Sequence, residues 1–215
     1  IATLIEAFIL VFIVVYIFLQ DFRSTLIPAI AVPVAIIGTF FFLQIFGFSI
    51  NMLTLFAMIL AIGIVVDDAI VVVEAVHAKL DEGAKSGKEA TLSAMSEISG
   101  AIISITLVMS AVFIPVSFLS GPSGVFYQQF AITLAISILI SAVNALTLSP
   151  ALCALFLKPH KDGDHHKKNL KDRFFLAFNT GFDKMNNKYV KSLGFLARKK
   201  WITVVALLVF SGITI

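Results

Sequence analysis

Apolar residues run along this chain in long blocks separated by short polar punctuation, and the blocks can be measured against a bilayer. A hydrocarbon core about 30 Å thick needs roughly 20 residues of helix at about 1.5 Å each. On that measure the pattern predicts spans over about residues 1–20, 26–46, 51–76, 101–119 and 130–157, and a sixth that starts at Trp201. Residues 201–215 make only about 22 Å of helix, so the sixth span reads as truncated and the chain as a piece of something longer. The expected fold class is all-α, a polytopic transmembrane helix bundle.

Between the fifth and sixth blocks, residues 158–200, the pattern changes. In residues 169–190, NLKDRFFLAFNTGFDKMNNKYV, the positions Leu170, Phe174, Phe178, Phe182, Met185 and Tyr189 recur every three or four residues, while Arg173 and the lysines take other faces. That spacing predicts an amphipathic interface helix in the headgroup layer, aromatic side toward the bilayer and basic side toward anionic lipid. Packing on a soluble partner is the alternative. Residues 79–100 mix both charge signs with Gly and Ser, and Ala90, Ala94, Met95 and Ile98 give one weakly apolar face. A surface turn and short helix is expected there. Prolines at 28, 33, 115 and 150 predict kinks, since each removes a backbone hydrogen bond.

Composition agrees with the blocks: 59% of residues are hydrophobic and 13% charged, with a mean hydropathy of +1.01. The net charge of +3 does not point to nucleic acid, because of where the cations lie. Arg23 follows the first span, Lys79, Lys85 and Lys88 follow the third, and the rest fall between Lys158 and Lys200. The connections after the second and fourth spans carry none. All sixteen Lys and Arg therefore share one side, which the positive-inside rule makes cytoplasmic. Cys153 is the single cysteine, so no internal disulfide forms. The run from His160 to His166 fits neither zinc nor calcium spacing and reads as a solvated linker; no metal or cofactor is expected.

One apolar block holds two charges. In residues 59–76, ILAIGIVVDDAIVVVEAV, Asp67 and Asp68 lie side by side about 7 Å to the cytoplasmic side of mid-span. A mid-helix aspartate costs about 2.5 to 3.5 kcal/mol on insertion scales, and its side chain is too short to reach the surface. The pair must face protein, meet a cation, or carry a proton part of the time. Every Lys and Arg of the chain lies in a loop, so an intramembrane countercharge has to come from elsewhere. A site whose charge depends on the approach of that cation loads and releases protons as helices shift. Protons are favoured over sodium as the coupling ion, because the pair lacks a rich oxygen cage.

Supporting candidates are weaker. Gly63, one turn before Asp67, leaves room for a close helix. Glu74 lies near the cytoplasmic boundary as a hydrated end residue, and Glu6 near the outer surface, interfacial or on a proton path. Thr133, Ser137, Ser141 and Asn144 align at helical spacing in the fifth span. That stripe is either interhelical hydrogen bonding or a water-lined conduit. An intramembrane aspartyl protease also uses two aspartates, but they must converge on one water, whereas neighbours on a helix diverge by about 100°.

The stretch GIVVDDAIVVVE, preceded by FGFSINMLTLFAMILAI and followed by PVSFLSGPSGVFYQQFAIT and LSPALCALFLKP, closely resembles the resistance-nodulation-division transporters, as does FLQDFRSTLIPAIAVPVAIIGTF. The likeness covers nearly the whole chain, and the double acid resembles the hydrophobe/amphiphile drug-efflux branch. The resemblance implies the proton-coupling part of the membrane domain of a multidrug exporter in the bacterial inner membrane. It makes Asp67 and Asp68 the proton-relay pair, a lysine in a second helical half their partner, and residues 169–190 the cytoplasmic interface helix. It further implies a homotrimer that meets a periplasmic adaptor and an outer-membrane channel, with the porter domains outside this chain. Two rivals stand beside it: a scaffold that only anchors other domains, with the acids as protonated interhelical glue, and a related protein-translocation or lipid transporter.

Overall fold

The computed structural model describes residues 2–159 and 170–198. It contains helices α1 (Ala2–Leu19), α2 (Phe22–Ile45), α3 (Met52–Asp81), α4 (Gly87–Val116), α5 (Pro122–Leu146), α6 (Leu148–Phe156) and α7 (Leu170–Arg198), and among the described residues no strand. The chain divides into two compact units, Ile1–Asp162 with α1 to α6 and Gly163–Ile215 with α7. The predicted sixth span, 201–215, and the His160–His166 run lie outside the described residues.

Four stretches are long and apolar enough to cross a membrane: Phe22–Ile45, Met52–Asp81, Gly87–Val116 and Gly124–Phe156. Thr3–Leu19 is a shorter apolar helix. This is a helical transmembrane bundle. Its outer faces carry large exposed apolar side chains, such as Leu10 and Ile13 on α1, Ile37 and Phe41 on α2, and Leu107 and Val108 on α4, where hydrocarbon is the solvent.

α3 is the central helix, packed by α1, α2, α4, α5 and α6. Ala57, Ala61 and Ala69 on α3 and Ala131, Ala142 and Ala145 on α5 are buried, and small residues of this kind let membrane helices approach closely. Val72, Val73 and Val76 bury their side chains completely against Ile27, Ala145 and Cys153.

Local chemistry sets the ends. The Asp21 carboxylate caps α2, accepting from the backbone N–H of Ser24 at 3.1 Å and of Arg23 at 3.3 Å. Asn51 and Thr54 form a reciprocal capping box at α3, and Ser86 caps α4 through the Glu89 N–H at 3.2 Å. Gly121, at φ 96°, makes the turn before Pro122 opens α5.

Three sequence expectations need correction. The segment before the fourth span is no separate short helix: α4 runs unbroken from Gly87, because nothing after the Ser86 cap breaks it and Ala90 and Ala94 are buried against the α6 end. Second, the block expected over 130–157 starts at Pro122 and breaks at Thr147. Pro150 is the cause, since its ring collides with the carbonyl four residues earlier, at Leu146. By contrast α2 stays helical through Pro28 and Pro33. Third, the amphipathic helix spans Leu170–Arg198, past the expected end at 190, because no breaker stands there. Within it Phe178 and Phe182 stack with ring centroids 6.4 Å apart, and Met185, Tyr189 and Leu193 are exposed.

Candidate functional site

α3 carries both aspartates, and helix geometry sends them to different surroundings. Asp68 is half-buried and its Oδ2 accepts a 2.5 Å hydrogen bond from Ser141 Oγ of α5. Asp67, about 100° around the helix, is exposed. It lies on a strip of α3 with Phe56, Leu60, Gly63, Val71 and Glu74, all exposed, and a Cβ at Gly63 would meet nothing within 4 Å. One acid is thus held by the bundle while its neighbour faces a surface that none of helices α1 to α6 covers.

Among the described residues neither aspartate has an ion-pair partner. The ion pairs there join Lys79 Nζ to Glu82 at 3.0 Å and to Glu97 at 2.7 Å, at the polar end of α3. A half-buried carboxylate held by one hydroxyl and, among the described residues, by no cation has an incomplete shell of partners.

The α5 stripe faces protein: Thr133, Ser137, Ser141 and Asn144 are all buried. Beyond Ser141, Asn144 Nδ2 donates to the Ala31 carbonyl of α2 at 3.3 Å. Ser137 Oγ stands 3.1 Å from Thr39 Oγ1 of α2 and donates to the Thr133 carbonyl at 2.8 Å. Thr133 bonds within α5, to the Gln129 carbonyl at 2.7 Å. The space beside Ser137, lined by Thr39, Met58, Ala61 and Val65, has no room for a water. At this level the stripe therefore acts through hydrogen bonds and offers no wet passage.

Of the other candidates, Glu6 is exposed on α1. Its neighbours Leu4 and Ile5 line a cleft with Leu55, which is about 18 Å along α3 from Asp67, so the structure does not bring Glu6 to the pair. Ser141 appeared in the sequence only as one member of a stripe; its pairing with Asp68 is a contact across 73 residues that spacing does not reveal.

A second polar cluster was not anticipated at all. Ser24 Oγ donates to Asp21 Oδ2 at 2.6 Å and stands 2.6 Å from His77 Nε2 of α3. Partial burial pushes the Asp21 carboxyl up, but hydrogen bonds from the Ser24 hydroxyl and the Arg23 and Ser24 N–H groups, with His77 nearby, outweigh it and hold the group below its ordinary value. The sequence signal was half present, as the Asp-x-x-Ser of an N-cap.

The profile of the AcrB/AcrD/AcrF family matches residues 1–215. The toluene efflux pump membrane transporter TtgB of Pseudomonas putida is 51% identical over 198 residues, covering 92% of this chain and 19% of its own length. The multidrug export protein AcrF of Escherichia coli (strain K12) is 53% identical over 192 residues, 89% of this chain and 18% of its own length. The multidrug resistance protein MdtF of the same strain is 49% identical over 214 residues, 99% of this chain and 20% of its own length. The chain thus spans 18 to 20% of the length of these relatives.

Proposed function

This chain belongs to the AcrB/AcrD/AcrF family, and on that premise we propose that it forms the proton-coupling part of the membrane domain of a multidrug exporter driven by proton influx. The observation that carries the reading is the divided acid pair: Asp68 tied to Ser141 inside the bundle, Asp67 on an uncovered face, both in the apolar stretch of α3 and neither ion-paired among the described residues. A lysine from a further part of the transporter approaches the open face of α3, and its arrival and departure switch the pair between ionised and protonated states. A proton crossing 100 mV releases about 2.3 kcal/mol, and that is the work the pair couples to helix movement.

The helix ends and turns holding Arg23, Lys79, Lys85 and Lys88, and the cations from Lys158 onward, face the cytoplasm, as the positive-inside asymmetry supports. α7 lies on the inner leaflet, its aromatic stripe toward lipid. The names of the relatives support efflux over protein or lipid transport, and export proceeds in a trimer with a periplasmic adaptor and an outer-membrane channel.

The scaffold reading has one observation in its favour, since the Asp68–Ser141 bond also joins helices as simple glue. Asp67→Asn and Asp68→Asn in the intact transporter separate the two, because asparagine keeps shape and hydrogen bonding but cannot exchange a proton. Efflux of a hydrophobic dye falls to the level of cells without the pump if the pair carries protons. Unchanged efflux with normal membrane abundance overturns the proposal.

A further inference from the structure

Where α1, α2 and α3 meet at the polar end of the bundle, three side chains form one hydrogen-bonded chain between elements. Asp21 caps α2, Ser24 is fully buried in its first turn, and His77 projects from α3. The Ser24 hydroxyl has one proton and gives it to Asp21 Oδ2, so the 2.6 Å contact to His77 must be Nε2–H donating to Ser24 Oγ. The order of contacts excludes a nucleophile: a catalytic serine would give its proton to the histidine and the carboxylate would hold the far side of the ring, whereas here the carboxylate holds the serine.

We infer that Asp21, Ser24 and His77 form a proton-sensitive latch that fastens the α1–α2 turn to α3, the helix bearing the acid pair. Histidine is the side chain that changes charge between about pH 5 and 8. Protonating His77 turns a neutral N–H···O contact into a charge-assisted one that leads through the hydroxyl to a carboxylate, so acid tightens the latch. Only Gln20 and Asp21 separate α1 from α2, so a hold on the cap also restrains the end of α1.

Other ionisable groups stand at this end among the described residues of α1 to α6. The α1–α2 turn and α2 bring Asp21 and Arg23, and α1 brings Tyr16. α4 brings Lys88, Glu89, which accepts from the Lys85 N–H, and Glu97, paired with Lys79. α5 carries nothing titratable at this end, and α6 carries only Cys153, with Lys158 beyond it. On α3 itself Glu74 and Asp81 occupy the adjacent turns. Asp21 is joined to His77 through the Ser24 hydroxyl.

The inference rests on the sidedness proposed above for its meaning, a latch that answers to cytoplasmic pH, but its test does not depend on transport. The intact protein carrying this chain is reconstituted in liposomes with spin labels at Phe22 and Ala78, both exposed. The distance distribution between them is measured at about pH 5.5 and about pH 8, the range over which an ordinary imidazole changes charge. The distribution narrows at the lower pH in the parent, and His77→Gln abolishes the narrowing. Ser24→Ala also abolishes it although both titratable groups remain, which separates a hydroxyl-mediated latch from a general charge effect. Equal widths at the two pH values, or narrowing that survives either substitution, overturns the inference. Because dye efflux is not the readout, failure of the latch and failure of the proton-relay reading are distinguishable.

Discussion

The two ends of α3 treat charge in opposite ways. Toward its C-terminus Lys79 binds two glutamates, and His77, Ser24 and Asp21 close a chain of short contacts, so ionisable groups are met by partners. About three turns earlier, in the apolar stretch, Asp68 has one serine and Asp67 has an open face. Ionisable groups near the C-terminal end of α3 are thus tied into hydrogen bonds and ion pairs, whereas those in its apolar stretch are left with few partners or none among the described residues.

The sharpest way to break that contrast is to give the middle of α3 what its end already has. Val71 is exposed one turn beyond Asp67, and Val71→Lys places an ammonium at the i+4 spacing that suits an acid–base pair. The expected outcome is near-complete loss of dye efflux with normal membrane abundance, because a permanent partner fixes the charge of Asp67. Efflux at the parental rate contradicts the contrast.

Gly87 tests the opposite end. A Cβ there collides with the Leu157 carbonyl at the end of α6, so Gly87→Ala forces backbone apart and costs about 1 to 3 kcal/mol. A lowered melting temperature in detergent checks it. Next comes the α2 cap: Asp21→Ala costs about 0.5 to 2 kcal/mol at neutral pH. Since folding holds the Asp21 carboxyl below its ordinary value of 3.8, its stabilisation is present above that value and is lost as pH falls through the lower folded value. The gap in melting temperature between parent and variant therefore closes in strong acid. The smallest effect belongs to Ser137→Ala, which removes one buried hydroxyl contact for about 0.6 kcal/mol and leaves efflux intact, because no water passes there.

What could be read in advance follows from range. The apolar runs of α2 and α3 announce themselves because every residue contributes to the signal, and Asp67 and Asp68 stand out against such a background. The start of α4 did not, since residues 87–100 are polar by composition and become a helix through the Ser86 cap and burial of Ala90 and Ala94 beneath α6. The Ser86-x-x-Glu89 spacing was a legible cap signal that the mixed charge obscured. Pro150 was visible as a disturbance, but the break it causes falls three residues earlier, at Thr147. Pairings such as Asp68 with Ser141, Ser24 with His77, or Asn51 with Gln129 join residues far apart in the chain, and only folding brings them together.

The interruption at Thr147 has a mechanical meaning. It divides a 33-residue rod into a long arm bearing Ser141 and Asn144 and a nine-residue stub whose end lies close against α4 where Gly87 lacks a side chain. On the proton-relay proposal, a joint at that point would let the arm move with the protonation of Asp68 while the stub keeps its close seat on α4.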